Sequence, residues 1–525
     1  MKESIIILGA GVMQGPAIET AKELGFFTIA LDGSSHAPCV SMADQFEQID
    51  LKDKEAIEVF ARSLQGKNGR LGIMTAGTDF SANVAWTAEK LGLPGIPYEA
   101  ALNASDKSRM RACFKKASLP SPDFLTITAR DSLDNIPLPF PLVIKPVDNM
   151  GSRGCRRVDS IEELREAART ALGFSRSGRA IVEAFMDGPE FSVDAIVCHG
   201  EITICGLADR HIFFPPYFIE MGHTMPTVIE DEKQQAMLET FRAGVRALGL
   251  AGSDSIGAAK GDIKLTANGP MIGEIAARLS GGYMSGWTYP YSSGAAPVKA
   301  AILLAMGRKP DGLIPTRNWI CAERAFISIP GTVKTISGVE KARKQTGVKD
   351  VFLRIEEGSR VSFPENNVTK CGNIIAATPD RDGAVTAAQA AARSILIRLD
   401  PEDTRTSDFL ESPAAFPPGA FQLTDSLKAA LARLPEFPAQ KGEAGGEYSI
   451  IPFPAFTSFS LTDYVGRTIE ENLKAVRFLT GFPLPVAEKN ADNKVTLGRS
   501  FWAAFVRGAY QGAVYYIDSR LKQSG

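Results

Sequence analysis

A chain of 525 residues supplies roughly three or four cores of ordinary size, and its hydrophobic (44%) and charged (22%) fractions are those of an average soluble globular protein. A formal net charge of −2, with no run of basic residues, excludes a broad polyanion-binding field, so neither nucleic acid nor membrane is expected as a partner. Seven scattered cysteines without a CxxC pair exclude a zinc ribbon or a disulfide framework and predict a cytoplasmic protein.

The chain opens on a short apolar run, Ile5–Leu8, that stops at Gly9 and is too brief for a signal sequence. Strands are predicted at Ser4–Leu8, Phe27–Leu31 and Leu71–Thr75, and helices at Pro16–Leu24, Lys54–Leu64 and Ala82–Leu91. That alternation predicts a parallel, doubly wound α/β sheet. Gly9, Gly11 and Gly15 join the first strand to the first helix, and Asp32 ends the second strand. This pattern is compatible with a tight turn or with a phosphate-binding loop, and the acid stands where a nicotinamide enzyme would hold a ribose. The spacing is GxGxxxG, looser than the dinucleotide fingerprint, and the loop alone decides nothing.

A charged helix is predicted over Asp106–Ser118, closed by the turn Leu119–Phe124. From about residue 139 to 305 strands come in pairs separated by glycine turns, an α+β pattern with helices at Ile161–Leu172 and Glu232–Leu248. Within Pro141–Val158 a strand delivers Lys145 at its end, and a Gly/Ser loop follows from Asp148 to Gly154. Such a loop can wrap a triphosphate with its backbone N–H groups while the lysine neutralises the charge. Glu183 and Glu190 flank a break between two strands.

Strands at Asp262–Leu265 and Pro270–Ala276 flank the turn residues Asn268 and Gly269. If the loop holds an odd number of residues centred on Asn268, Asp262 lies opposite Glu274, with Ala276 and Arg278 on the same face. Two such carboxylates repel by roughly 1–4 kcal/mol at about 4 Å, and a divalent cation removes the conflict. Oxygen ligands without His or Cys select Mg2+ or Mn2+. A two-residue loop would turn the acids to opposite faces.

Residues 319–400 read as a small β-rich lobe ending in a helix at Ala384–Leu399. Residues 401–447 read as a linker, and helices follow around Val465–Val476, stopped by Gly481, and at Phe501–Tyr516.

In order and spacing these motifs resemble the ATP-grasp superfamily over about residues 1 to 400. The order is a Rossmann-like first domain, a helix lysine (Lys107), the strand lysine (Lys145), the glycine loop, the acids of Ile181–Phe185 and Gly188–Ser192, and the acidic hairpin. The resemblance implies four parts: a Rossmann-like domain over 1–105, an ATP-grasp domain over 106–310, a β-rich lobe over 311–400 and an accessory α-rich unit over 401–525. It implies Lys107 and Lys145 on the ATP phosphates, the loop around Ser152 and Gly154 over them, and Glu183 with the backbone of Ala184–Met186 at adenine. Glu190 is implied at the ribose, Asp262 and Glu274 on magnesium, and Arg278 as the catalytic arginine on an acyl-phosphate or substrate carboxylate. Many relatives read Glu-Ile-Asn-Pro-Arg where this chain has Glu274-Ile275-Ala276-Ala277-Arg278, so the third metal ligand of the pattern is absent.

The activity implied is ADP-forming coupling of a small carboxylate to an amine through an acyl-phosphate, with ATP and Mg2+ (or Mn2+). Phe218–Pro226, including His223, resembles a stretch near the amino-acid pocket of dipeptide ligases. Chemistry like that of carbamoyl-phosphate synthase or glycinamide ribonucleotide synthetase is an alternative. An NAD-dependent oxidoreductase and a non-catalytic nucleotide-binding protein are readings of other classes. Homo-oligomerisation is left open.

Overall fold

The computed structural model describes residues 2–66, 69–437, 447–454, 461–486 and 494–523. The chain divides into two compact units, Met1–Ala322 with Ala377–Arg381, and Glu323–Ala376 with Asp382–Gly525.

The first unit opens with four parallel strands, β1 (Ser4–Leu8), β2 (Phe27–Asp32), β3 (Gln45–Gln48) and β4 (Leu71–Met74), in the order β3-β2-β1-β4. Strand alternation explains why β1 is apolar from Ile5 to Leu8. Ile5 and Ile7 pack on α1 (Gly15–Glu23) and the helix Pro297–Ala305, while Ile6 and Leu8 pack on α2 (Lys54–Leu64) and α3 (Ser81–Leu91). Both faces are covered, as a parallel sheet requires. The expected strands and helices of this region are present; β3 and α4 (Tyr98–Ser105) were not foreseen.

Next comes α5 (Lys107–Lys116), capped by Asp106, whose carboxylate accepts from the N–H groups of Ser108 (2.8 Å) and Arg109 (3.1 Å). A four-stranded antiparallel sheet follows, built from β5 (Phe124–Thr128), β6 (Leu142–Pro146), β7 (Arg156–Val158) and β8 (Arg179–Ala184) in the order β5-β8-β6-β7. The helix α6 (Ile161–Phe174) covers it with Leu164, Ala167, Ala168 and Ala171.

A second antiparallel array contains β9 (Glu190–Cys198), β10 (Glu201–Phe213), β11 (Ile219–Met225), β12 (Ile256–Thr266) and β13 (Gly269–Ala276), in the order β13-β12-β9-β10-β11. Phe191, Val193, Ala195 and Val197 of β9 face a core shared with α7 (Asp231–Ala247). Period two therefore sends Glu190, Ser192 and Asp194 to the opposite face.

The alanine-rich helix runs over Arg381–Ser394 and does not continue to Leu399. Leu396–Leu399 is instead a strand paired with Gly331–Ser337. The helical reading followed the alanines too far: after Ser394 the pattern alternates, and cross-strand pairing overrides helix propensity. Nor is the region after residue 400 a bare linker, since it carries helices at Thr404–Glu411 and Asp425–Arg433; part of it lies outside the described residues. The last two helices, Ile469–Thr480 and Arg499–Gln523, pack around Leu473, Val476, Trp502 and Phe505. Gly481 ends the former with φ +75°, a left-handed cap. No helix among the described residues is long and apolar enough to cross a membrane.

Candidate functional site

The polar face of the second array is a lattice of alternating charge. Backbone register sets Lys264 against Glu190, Asp262 against Ser192 and Lys260 against Asp194. On the other side of β9, Arg210 pairs with Glu190, and it also pairs with His223 of β11. Asp262 accepts from Ser192 Oγ (3.1 Å), lies 3.0 Å from Arg210 Nη1, and is joined to Lys260. Glu190 is joined to Arg210 and lies 3.9 Å from Lys264 Nζ.

Asp262 is directly paired with Glu274. The turn joining the two strands is nevertheless the two-residue type, because Thr266 pairs with Gly269. A bulge restores the alignment: the register passes from Ile263↔Ile272 to Asp262↔Glu274, leaving Gly273 as the extra residue. Gly273 lies so close to the partner strand that an added Cβ would stand 3.0 Å from the Asp262 carbonyl oxygen. The conclusion drawn from an odd-numbered loop therefore holds by a different route.

Facing this lattice are side chains from α5 and the smaller sheet. Lys107 begins α5; its backbone N–H donates to Val147 O (2.9 Å), while Nζ donates to Asn149 O of the glycine loop (2.8 Å) and lies 3.6 Å from Glu274 Oε1. Lys145 Nζ is 2.8 Å from Glu183 Oε2, and Arg111 Nε donates to the other Glu183 oxygen at 2.7 Å. Arg111 also donates to the carbonyls of Ile272 (3.1 Å) and Gly273 (2.6 Å), tying β8 to the bulge beside Glu274. Glu183 is thus clamped between two cations and fixes the Lys145 ammonium. Ala184 spends its N–H on Asp123 O (2.9 Å) and has no N–H to offer a base. Met186 lies just beyond the end of β8.

The loop itself is held at its ends. Asp148 accepts from Ser175 Oγ (2.9 Å) and from the N–H groups of Arg176 and Ser177 (3.0 and 2.8 Å). Gly151, Ser152 and Gly154 all have positive φ. At Gly154 (φ +68°) a Cβ would press on Phe174 at 3.0 Å, so the residue type is demanded twice. Cys155 closes the loop.

Electrostatics follow from this crowding. Burial alone would lift the Glu183 carboxyl, but Arg111 and Lys145 hold it down at about 2. Burial likewise opposes ionisation of Glu274, and Lys107, Lys260, Lys145 and Arg278 outweigh it, again to about 2. Burial works against the Lys107 ammonium, yet Glu274 and Asp79 raise its pKa. The Cys155 thiol is pushed up to about 11 by burial, with Lys145 only partly offsetting it. Glu183 and Glu274 are thus ionised beside a protonated Lys107 at neutral pH, a state that suits a metal–polyphosphate.

Arg278 is buried, 7% exposed, and donates to Leu279 O at 3.0 Å. The loop after β4 reaches it: Gly77 N donates to Leu279 O (3.3 Å), and Ala76 bridges Leu279. This brings Asp79 into the cluster, 4.0 Å from Arg176. Burial raises the Asp79 pKa, against the pull of Lys107 and Arg278. Asp79, Arg111 and Arg210 were not identified in the sequence; Asp79 and Arg111 lie far along the chain from their partners, Arg210 is 10 positions from Glu220 but on a different strand, and no local motif marks any of them. His223 is fully buried with Nε2 3.0 Å from Thr288 Oγ1.

The first glycine loop is filled from within. Gln14 Oε1 accepts from Gly11 N (3.0 Å), and a Cβ on Gly9 (φ +100°) would meet that same oxygen at 2.8 Å. Both Asp32 oxygens accept backbone N–H groups, from Ala10 and Ser34 at 2.9 Å each. The acid that a nicotinamide reading needs is engaged in holding its own turn.

Among the described residues no group of three or more His, Cys, Asp or Glu side chains forms a metal cage. The Asp262–Glu274 pair nevertheless offers hard oxygen donors on one face, each acid now balanced by cationic side chains, and this suits Mg2+ or Mn2+ with water and phosphate completing the shell.

Residues 138–285 match the model of the ATP-grasp domain, and residues 325–400 match that of L-amino acid ligase C-terminal domain 2. An uncharacterized protein of Sinorhizobium fredii is 26% identical over 66% of this chain and 72% of its own length. Carnosine synthase 1 of Gallus gallus is 24% identical over 60% of this chain but only 36% of its own length. The crystal structure of an L-amino acid ligase from Bacillus licheniformis is alike in fold, with a TM-score of 0.68 and 22% identity over 76% of this chain and 99% of that one.

Proposed function

We propose that this chain, an ATP-grasp enzyme with an L-amino acid ligase C-terminal domain 2, is an ADP-forming ligase that joins an amino acid or another small carboxylate to an amine. The observation that carries this reading is the convergence of Lys107 on both the glycine loop and Glu274, with Lys145 held alongside by Glu183.

In this reading Lys107 and Lys145 neutralise the ATP phosphates, and the loop through Ser152 and Gly154 closes over them and excludes water. Glu183 orients Lys145 from beside the adenine pocket, Met186 meets the base and Glu190 the ribose. Asp262 and Glu274 hold the cation, which when bound supplies further charge neutralisation at the phosphates. The substrate carboxylate attacks the γ-phosphorus, forming an acyl-phosphate and releasing ADP; the amine then attacks the acyl carbon and expels phosphate. No protein nucleophile is needed. Arg278, buried and aimed from the end of the acidic strand, stabilises the charge on the acyl-phosphate oxygens.

ADP release measured over amino acids, singly and in pairs, tests the reading. Pair-dependent ADP formation is expected, reduced at least about 100-fold in Lys145→Ala. Release of AMP and pyrophosphate, or unchanged turnover in the variant, would count against it.

A further inference from the structure

We propose that Arg210 is a resident counter-cation of the metal subsite, competing with the divalent ion for Asp262 and so setting how tightly the nucleotide-free protein binds metal. The inference rests on the assignment of Asp262 and Glu274 as the metal carboxylates.

Three acids surround this one guanidinium. Nη1 is joined to Glu190 and lies 3.0 Å from Asp262 Oδ1, while Nη2 lies 2.7 Å from Glu220 Oε2. The side chain is only 10% exposed. Its Nε is buried without a hydrogen-bond partner, so the fork serves three carboxylates through its terminal nitrogens alone. With Lys260 on Asp262 and Lys264 near Glu190, three cations balance Glu190, Glu220 and Asp262. A divalent ion arriving at Asp262 overfills that balance and meets a fixed positive charge across the same carboxylate. The arginine cannot lose its proton, so it can yield only by moving toward Glu190 and Glu220. Glu220 stands next to the buried His223 (3.9 Å), so the arginine also links the metal acid to the segment expected to line the substrate pocket.

A residue that merely braced Asp262 would weaken metal binding when removed. A competing charge does the reverse. Electron paramagnetic resonance of free Mn2+, titrated with the full chain in the absence of nucleotide, separates the two. Arg210→Met is expected to bind Mn2+ about ten-fold more tightly than the wild type, and Arg210→Lys to stay near it. Unchanged or weaker binding by Arg210→Met overturns the inference. Should circular dichroism show that variant unfolded, Arg210→Gln is titrated in its place: tighter binding supports the inference, unchanged or weaker binding overturns it. Asp262→Asn separates this inference from the reading beneath it. Binding weakened by Asp262→Asn but indifferent to Arg210 sinks only the counter-cation; no Mn2+ binding by any of the proteins sinks the carboxylate assignment as well.

Discussion

The Glu183 carboxylate has two cations within 2.8 Å, 2% exposure and a pKa held near 2. A depressed carboxyl stabilises the fold above its unfolded pKa, and that contribution fades as pH falls through the folded value. The window therefore runs from about pH 5 down to about pH 2, and linkage puts the contribution on the order of 3 kcal/mol. Urea unfolding at pH 7 and pH 3 should show Glu183→Gln less stable than the wild type at pH 7, with the difference between the two proteins narrower at pH 3. An identical loss on acidification in both proteins would deny Glu183 this role. At this scale the sequence revealed residue types better than their partners. Lys107, Lys145, Glu183, Asp262 and Glu274 stand in recognisable local patterns. Arg111 does not, because its partners lie 72 and 161 positions away and an arginine on a charged helix looks like any solvated one.

At the scale of elements, α5 owes its starting point to Asp106, and the first residue inside the helix is Lys107. Removing the cap in Asp106→Ala should cost about 1–2 kcal/mol, visible as a lower thermal midpoint, and should raise KM for ATP by loosening Lys107. A lowered midpoint with an unaltered KM would show that Lys107 does not depend on the cap. The acidic hairpin illustrates what was legible and what was not. Its strands and turn could be read from alternation and from Asn268-Gly269, but the facing of its acids could not. Spacing cannot tell an odd-numbered loop from a two-residue turn followed by a bulge at Gly273, since both bring Glu274 opposite Asp262. The misread helix beyond Ser394 has a related origin: Leu396–Leu399 becomes a strand because Gly331–Ser337 supplies the pairing edge, a fact about distant chain.

Across the whole molecule, every residue of the candidate cluster belongs to the first compact unit, although its members are drawn from Asp79 through Arg278. The cluster is non-local even within that unit: a strand-to-helix loop of the parallel sheet, α5, the smaller antiparallel sheet and the acidic hairpin each contribute one part. The parallel domain was legible because β1 is buried on both faces and reads as a continuous apolar run. Whether its glycine loop was a ligand site was not legible, because only the folded chain shows Gln14 and Asp32 engaged within the turn itself. The central claim is that this assembly holds a metal–triphosphate, and calorimetric titration of the full chain with ATP and with NADH tests it most directly. The account predicts ATP binding that strengthens with Mg2+ or Mn2+ and is lost in Lys145→Ala, with no NADH binding; NADH binding without ATP binding would contradict it.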